Sequence, residues 1–341
     1  MPRVGVVGVG GLGFHHARIL RDLPQVEFGG FFDSRMERAT AVASELGIKA
    51  HESLDALLAA VDAVTIAVPT PAHFEVAGKA IAEGKHVLIE KPITTTVAEA
   101  EELLALAQKK GVVVQIGHVE RFNAAIRAAL PHIDEPRFIQ SERLAPFNPR
   151  GSDVAVVLDL MIHDIDLILT LAVGDAQSIA AVGVPVLTPT VDIANARIVF
   201  ASGAVANITA SRISRDRVRK IRIFQKTGYL SLDLAAGTGE FYRLNKKLSM
   251  EQLAAGPLDF SQFVERVELT APAGEPLKLE FESFARALTG EAPPVVTGED
   301  GRRALEVALG IVHEIERTLP QLSGSMHGGL GRSHAEPTPI G

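Results

Sequence analysis

Six residues near the start, Gly8-Val9-Gly10-Gly11-Leu12-Gly13, follow directly on the apolar run Val4-Gly5-Val6-Val7. No other stretch restricts the fold so tightly. The apolar run reads as a buried strand. Each glycine then has a task at its end: Gly8 turns the chain, Gly10 keeps bulk off the backbone, and Gly13 lets the next helix pack close to the strand. Gly11 and Leu12 lie at the start of that helix, expected over residues 12–23. Its free N–H groups and positive dipole end favour a phosphate just beyond the strand. A second strand, residues 26–32, ends at Asp33. Asp33 lies about 20 residues past Gly13, where a carboxylate accepts both hydroxyls of a ribose. Strand, helix, strand and acid in this order specify a dinucleotide site. A carboxylate repels a 2′-phosphate, so NAD is expected over NADP. Arg35 and Arg38 follow closely and would soften that preference.

The alternation continues. Helices are expected at residues 39–46, 53–60 (capped by Ser53), 74–83 and 97–110, and strands at 63–68, 86–89 and 112–116. Strands of β-branched residues between helices imply a doubly wound, mainly parallel sheet. Ligands on such sheets sit beyond the C-terminal strand ends. Those ends carry the glycine loop, Asp33, Pro69-Thr70-Pro71, Glu90-Lys91-Pro92 and Gly117-His118. The cofactor is therefore expected to meet Gly8, Gly10, Gly11, Leu12, Gly13, Asp33, Arg35, Thr70, His73, Glu90 and Lys91.

After about residue 124 the pattern changes. Strands are expected at 138–143, 178–187, 193–200, 205–211, 220–225 and 229–234. Turns such as Ala201-Ser202-Gly203 and Lys226-Thr227-Gly228 make several of them antiparallel neighbours. One helix, 154–172, precedes most of this sheet, and a final helix runs over about 298–319. The fold class is α/β. Residues 1–123 form an N-terminal Rossmann domain with a doubly wound parallel sheet. Residues 124–322 form a C-terminal α+β domain with a large, mostly antiparallel open sheet. Residues 323–341, rich in Gly, Ser, His and Pro, read as a disordered tail. A length of 341 residues suits two domains. Ala194, Ala196, Ile198 and Phe200 alternate with polar residues, and strands outnumber the helices available to cover them. A second copy is expected on the uncovered face, giving a homodimer or homotetramer through the C-terminal sheet.

The helix at 154–172 carries Asp159, His163 and Asp166 at i, i+4 and i+7, one polar stripe on an otherwise apolar element. Such a stripe needs partners or a water-lined cleft. Asp159, one turn from His163, is expected to fix its tautomer and raise its basicity. Removing hydride from a secondary alcohol requires a base for the hydroxyl proton and a positive charge near the developing alkoxide. His163, with an ordinary pKa near 6.5, fits the base, and Lys91 fits the cation. The two roles can be exchanged, or shared through a relay.

Composition narrows the class. With no Cys, disulfides, iron–sulfur clusters and cysteine-ligated zinc are excluded, and a reducing cytosol suits the chain. There is no His-x-x-x-His pattern, and no metal is expected. A net charge of −7 argues against nucleic-acid binding. Met1-Pro2-Arg3 leads straight into the first strand, and no apolar stretch reaches about 18 uncharged residues. A cytoplasmic enzyme without signal peptide or membrane span is expected.

The glycine loop, Glu90-Lys91-Pro92 and Asp159-x-x-x-His163 occur in the order and spacing of the Gfo/Idh/MocA oxidoreductases, which the chain resembles over about residues 3–320. The resemblance implies a Rossmann domain, a second domain on an open sheet, NAD(P), and oxidation of a hydroxyl on a sugar, cyclitol or sugar nucleotide. It implies that Lys91 and His163 carry the proton chemistry, supported by Asp159. Met161 departs from the family's frequent glycine, and Ala124 from its frequent proline. The segments 117–123, 158–166 and 192–197 look like the branch that acts on the 3-hydroxyl of UDP-N-acetylglucosamine. His118, Arg121, Asn123 and Asp164 are then expected to touch the substrate. Two phosphates on an acidic protein call for local arginine, with Arg121, Arg143 and Arg150 as candidates. Residues 212–226 hold seven basic side chains against Asp216 alone. That run reads as a solvated face or subunit contact, with a pyrophosphate site as the alternative. The same chemistry on a free sugar or inositol stays open, as does a non-catalytic dinucleotide-sensing regulator.

Overall fold

The computed structural model describes residues 1–148, 154–172, 174–244 and 263–326. Strands β1 (Arg3–Val7), β2 (Glu27–Phe32), β3 (Ala63–Ile66), β4 (His86–Glu90) and β5 (Val114–Gly117) form a parallel sheet in the order β2-β1-β3-β4-β5. Val4, Val6, Val64, Ile66 and Ile89 have no exposed surface, as strands covered on both faces require. Helices α1 (Gly11–Arg21), α2 (Met36–Leu46), α3 (Leu54–Ala60), α4 (His73–Ala82) and α5 (Val97–Lys110) make the crossovers. Ser53 caps α3 by accepting from the Ala56 N–H at 3.1 Å, and Thr96 with Glu99 forms a capping box on α5. The order reverses between β1 and β3, which opens a crevice at the C-terminal strand ends.

A short helix α6 (Ala124–Ala129) leads into the second sheet. Its strands are β6 (Phe138–Leu144), β7 (Ala176–Val184), β8 (Ile193–Phe200), β9 (Val205–Ser211), β10 (Val218–Gln225), β11 (Gly228–Asp233), β12 (Thr238–Leu244) and β13 (Val264–Leu269). They lie in the order β13-β12-β11-β10-β6-β9-β8-β7. Every neighbouring pair is antiparallel except β6 with β9. Ala194, Ala196, Ile198 and Phe200 point inward and share one core with α7 (Ile162–Leu171) and α9 (Gly298–Met326). The outer face carries Phe138, Phe224, Tyr229 and Tyr242 in a row across β6, β10, β11 and β12, with successive ring centroids 5.7, 5.5 and 4.6 Å apart. Elsewhere it is polar, with pairs such as Asn195–Thr209 and Arg197–Asn207.

Helix α8 (Pro276–Leu288) returns to the first sheet, where Phe281 and Phe284 enter the core that holds Val4 and Leu88. Gln115 of β5 donates to the Glu280 carbonyl at 3.0 Å. Late residues thus complete the early domain and set the two sheets in fixed relation. β12, β13 and α8 fall in residues 235–297, to which the sequence assigns no element. The helix expected at 154–172 begins with a π-turn, Val157–Met161, ahead of α7. The final helix extends past residue 319 to Met326, so residues 323–326 of the expected tail are helical. Residues 327–341 lie outside the described residues. No described helix is long and apolar enough to cross a membrane.

Candidate active site

The crevice is a groove of about 700 Å³, lined by the loop of Gly8, Gly10, Gly11 and Leu12 and by Asp33, Arg35, His73, Glu90 and Lys91. Gly8 has φ +85°, a left-handed turn that suits glycine. A Cβ on Gly13 would sit 1.9 Å from the Gly8 carbonyl oxygen, so α1 can approach β1 only through glycine there. At Gly10 a Cβ would meet nothing nearer than Arg35 Nη2 at 3.8 Å, which leaves the loop open to a phosphate. The Asp33 carboxylate accepts from the Val9 N–H at 2.8 Å and the Arg35 N–H at 2.9 Å, which fixes it at the end of β2. This cradle fits NAD. Arg38 differs from expectation. It donates to the Val9 carbonyl at 2.8 Å and lies over the Phe14 ring, so its charge steadies the loop.

Three expected cofactor residues have their polar atoms engaged or set elsewhere. The His73 ring nitrogens lie 2.8 Å from the Pro92 carbonyl and 3.0 Å from the Val68 carbonyl, and burial lowers the pKa. His73 therefore braces the ends of two strands. Glu90 points between β4 and β5, with His16 Nε2 3.0 Å from its Oε1. A Cβ on Gly117 would be 2.9 Å from that carboxylate. Thr70 lines a neighbouring cavity of about 300 Å³ with Pro71, Pro92, Leu158 and Asp159.

Lys91 bridges the two domains. It follows β4 on the groove's rim, and its Nζ donates to the Asp159 carbonyl at 2.7 Å and lies 3.4 Å from Asp159 Oδ1. The expected Asp159–His163 bond is absent among the described residues. Asp159 sits in the π-turn and His163 in α7 beyond it. The carboxylate goes to Lys91 instead. His163 Nδ1 is enclosed and has no hydrogen-bond partner among the described residues. Burial first, then the charges of Lys91, Arg143, His118 and Arg219, hold the His163 pKa well below the ordinary 6.5. Its imidazole is neutral at neutral pH and able to accept a proton.

Most residues expected to touch the substrate are instead locked in buried pairs. Arg121 grips Asp166 through both carboxylate oxygens, at 2.8 and 2.7 Å. Arg143 grips Asp164 at 2.8 and 3.0 Å and reaches Glu120 at 2.8 Å. Asn123 donates to Glu120 at 3.1 Å and to the Leu234 carbonyl at 2.9 Å, and its own oxygen caps α6 at Ala125. Desolvated charges persist only when paired, so these groups tie α7 to the turn after β5 and to β6. They have little capacity left for a ligand. Asp192 and Arg212 form a similar pair at 2.9 Å. His118 is buried, with neither ring nitrogen partnered among the described residues, and burial pushes its pKa down. Arg150 lies outside the described residues.

Two charged groups were not singled out in the sequence. One is Arg219, hidden within the basic run. The other is Glu280 of α8, fully buried, with both carboxylate oxygens lacking a hydrogen-bond partner among the described residues. Burial, then the charges of Glu90 and Asp166, raise its pKa well above the ordinary value. A carboxyl raised in the folded state gives its full stability below the unfolded pKa and loses it as pH rises through the folded value. Glu280→Gln should therefore stabilise the protein at pH 8, with a smaller gain at pH 5. Denaturant melts at both pH values check this, and equal midpoints for variant and wild type at pH 8 refute it.

The fold and groove are those of a dinucleotide-dependent oxidoreductase. Residues 2–118 match the family described as oxidoreductase family, NAD-binding Rossmann fold, and residues 115–231 match the GFO/IDH/MocA C-terminal domain. The chain belongs to the Gfo/Idh/MocA oxidoreductases and uses NAD. It is 40% identical over 318 residues to the UDP-N-acetylglucosamine 3-dehydrogenase of Acidithiobacillus ferrooxidans, covering 93% of this chain and 98% of that protein. A solved structure of that enzyme superposes with a TM-score of 0.84 at 39% identity, covering 93% of this chain and 99% of that one. The scyllo-inositol 2-dehydrogenase (NAD(+)) of Bacillus subtilis is 26% identical, covering 93% of this chain and 95% of that protein.

Proposed function

We propose that the chain oxidises the 3-hydroxyl of UDP-N-acetylglucosamine with NAD as acceptor. The observation that carries the chemistry is the bridge from Lys91 to Asp159, which holds an ammonium on the groove's rim and against the second domain at once. The substrate reading draws on the Acidithiobacillus relative, matched along nearly its whole length. NAD, when bound, accepts the hydride of the carbinol carbon. The Lys91 ammonium, oriented by two Asp159 oxygens, offers a hydrogen bond to the hydroxyl oxygen and stabilises its developing charge. Nε2 of neutral His163 takes the hydroxyl proton. Asp159 acts through Lys91 and is a positioning residue. The same reading assigns the cofactor to residues 1–123 and the substrate to 124–322. It also has two copies meet through the outer sheet face, where the aromatic row would be covered.

The test is direct. The purified protein is assayed for NADH formation with UDP-N-acetylglucosamine, its uronate, free N-acetylglucosamine and inositols. Turnover is expected with UDP-N-acetylglucosamine, giving the 3-keto product. Oxidation confined to inositols would transfer the reading to the activity of the Bacillus relative. Sedimentation of the same sample at micromolar concentration should show an oligomer, and monomer alone would remove the second-copy reading.

A further inference from the structure

Arg219 carries a charge that the described residues leave largely unused. It opens β10 directly opposite Arg143 of β6 and lies on the sheet's inner face, with the buried Ile221 and Ile223. The two arginines differ in what surrounds them. Arg143, 3% exposed, is saturated by Asp164 and Glu120. Arg219 is 40% exposed, and its side chain makes no hydrogen bond among the described residues. Its nearest acid is Glu120 at 3.6 Å. That carboxylate already accepts from Arg143 at 2.8 Å and from Asn123 at 3.1 Å. Burial, then the charge of Arg143, lowers the Arg219 pKa, and exposed Arg217 adds to the repulsion. The strongest charges acting on His163 are also cations, with Arg219 among them.

An anion would relieve this imbalance. The rest of the neighbourhood points to Arg219 as its receptor. Arg121, Arg143 and Arg212 are consumed by Asp166, Asp164 and Asp192. Lys220 and Arg222 are exposed on the opposite face of β10. The phosphates of NAD belong to the glycine loop of the other domain. What remains is a half-exposed guanidinium with most of its donors unspent, opposite the Arg143 that grips Asp164, the neighbour of His163 in the chain.

We propose that Arg219, backed by Arg217, binds the diphosphate of a sugar-nucleotide substrate and thereby selects it over the free sugar. This rests on the sugar-nucleotide reading above. The reacting carbon and the diphosphate of such a substrate are separated by part of the sugar ring. An anion subsite one strand from the Arg143–Asp164 pair, and distinct from Lys91, matches that separation in kind.

Calorimetric titration of UDP and of uridine into the NADH-loaded protein tests the site, alongside initial rates with UDP-N-acetylglucosamine. Wild type should bind UDP more tightly than uridine. Arg219→Ala should weaken UDP binding ten- to a hundredfold, the scale of a lost charge-assisted pair, and raise KM more than it lowers kcat. Arg219→Lys, which keeps the charge and loses the fork, should recover part of the affinity. Lys226→Ala, a change of equal charge at the far end of β10, should bind UDP as wild type does. UDP binding unchanged in both Arg219 variants, or no tighter than uridine in wild type, overturns the proposal. Arg219-dependent UDP binding without turnover of UDP-N-acetylglucosamine upholds the site and removes the oxidation reading. Turnover with a KM indifferent to Arg219 does the reverse.

Discussion

Lys91→Met and His163→Asn each lose on the order of a hundred- to ten-thousand-fold in turnover, while NAD affinity stays near wild type. On the proposed reading both side chains meet the reacting hydroxyl. The adenosine and pyrophosphate would lie on the glycine loop and Asp33, across the groove. Met retains the length and apolar stem of Lys91, so the loss reports the ammonium and its bonds to Asp159. The pH profile separates the two roles. His163 must be neutral to accept a proton, and burial with the surrounding cations holds its pKa well below 6.5. The acid limb of kcat/KM in wild type should therefore fall well below pH 6.5. In Lys91→Met one cation is gone, so the limb of the residual activity should move up. Asp159→Asn should cost less than either, since it acts by holding Lys91. Near-normal turnover in His163→Asn would leave Lys91 as the base. Near-normal turnover in both variants would sink the catalytic reading in favour of a dinucleotide-sensing regulator.

Arg143→Met should be the most destabilising of the single changes considered, at about 3–5 kcal/mol, because removing one partner leaves buried charge uncompensated. Asp164 would lose both of its donors from Arg143, and Glu120 would keep only Asn123 and the more distant Arg219. The sign of the pH dependence follows. An abandoned carboxylate has its pKa raised, so its cost is greatest at neutral pH and shrinks as the group protonates on acidification. Denaturant melts at pH 7.5 and pH 5 should show the gap to wild type narrowing at pH 5. A loss under about 1 kcal/mol at pH 7.5 would show that the pair is ordinary surface electrostatics. Adding Asp164→Leu to Arg143→Met should recover part of the loss, since an apolar pair leaves less charge stranded.

The first domain was legible because its signals are local. Each parallel strand is a short apolar run, α3 and α5 carry their own caps, and the glycines answer to neighbours a few residues away or one strand over. Ser53, Gly13 and Asp33 could be placed by counting. The glycine loop and Lys91 fell on one sheet edge for the same reason: in a doubly wound sheet every strand ends on the same side. The second domain was legible only where alternation was clean, as in β8. β12 and β13 alternate poorly. Glu240 pairs with Arg266 on the outer face, and Arg243 with Glu265 on the other face near the ladder's end, so the charges that blur the pattern are those that join the strands. α8 was missed because its buried face includes Glu280 and Ser283.

The sequence by itself determined the dinucleotide site, the two-sheet architecture and the identity of Lys91, His163 and Asp159 as the residues to watch. Only the tertiary structure decided how Asp159 is used, because Lys91, 68 positions away in the chain, engages its carbonyl and carboxylate. It alone also decided which charges are spent. Arg121 finds Asp166 across 45 positions of chain, and Arg143 finds Asp164 across 21. Arg143 and Arg219 are the same residue type on the same face of adjacent strands, yet one is saturated and the other is half open. Ion pairing depends on distance in space and on desolvation, and neither follows from spacing along the chain.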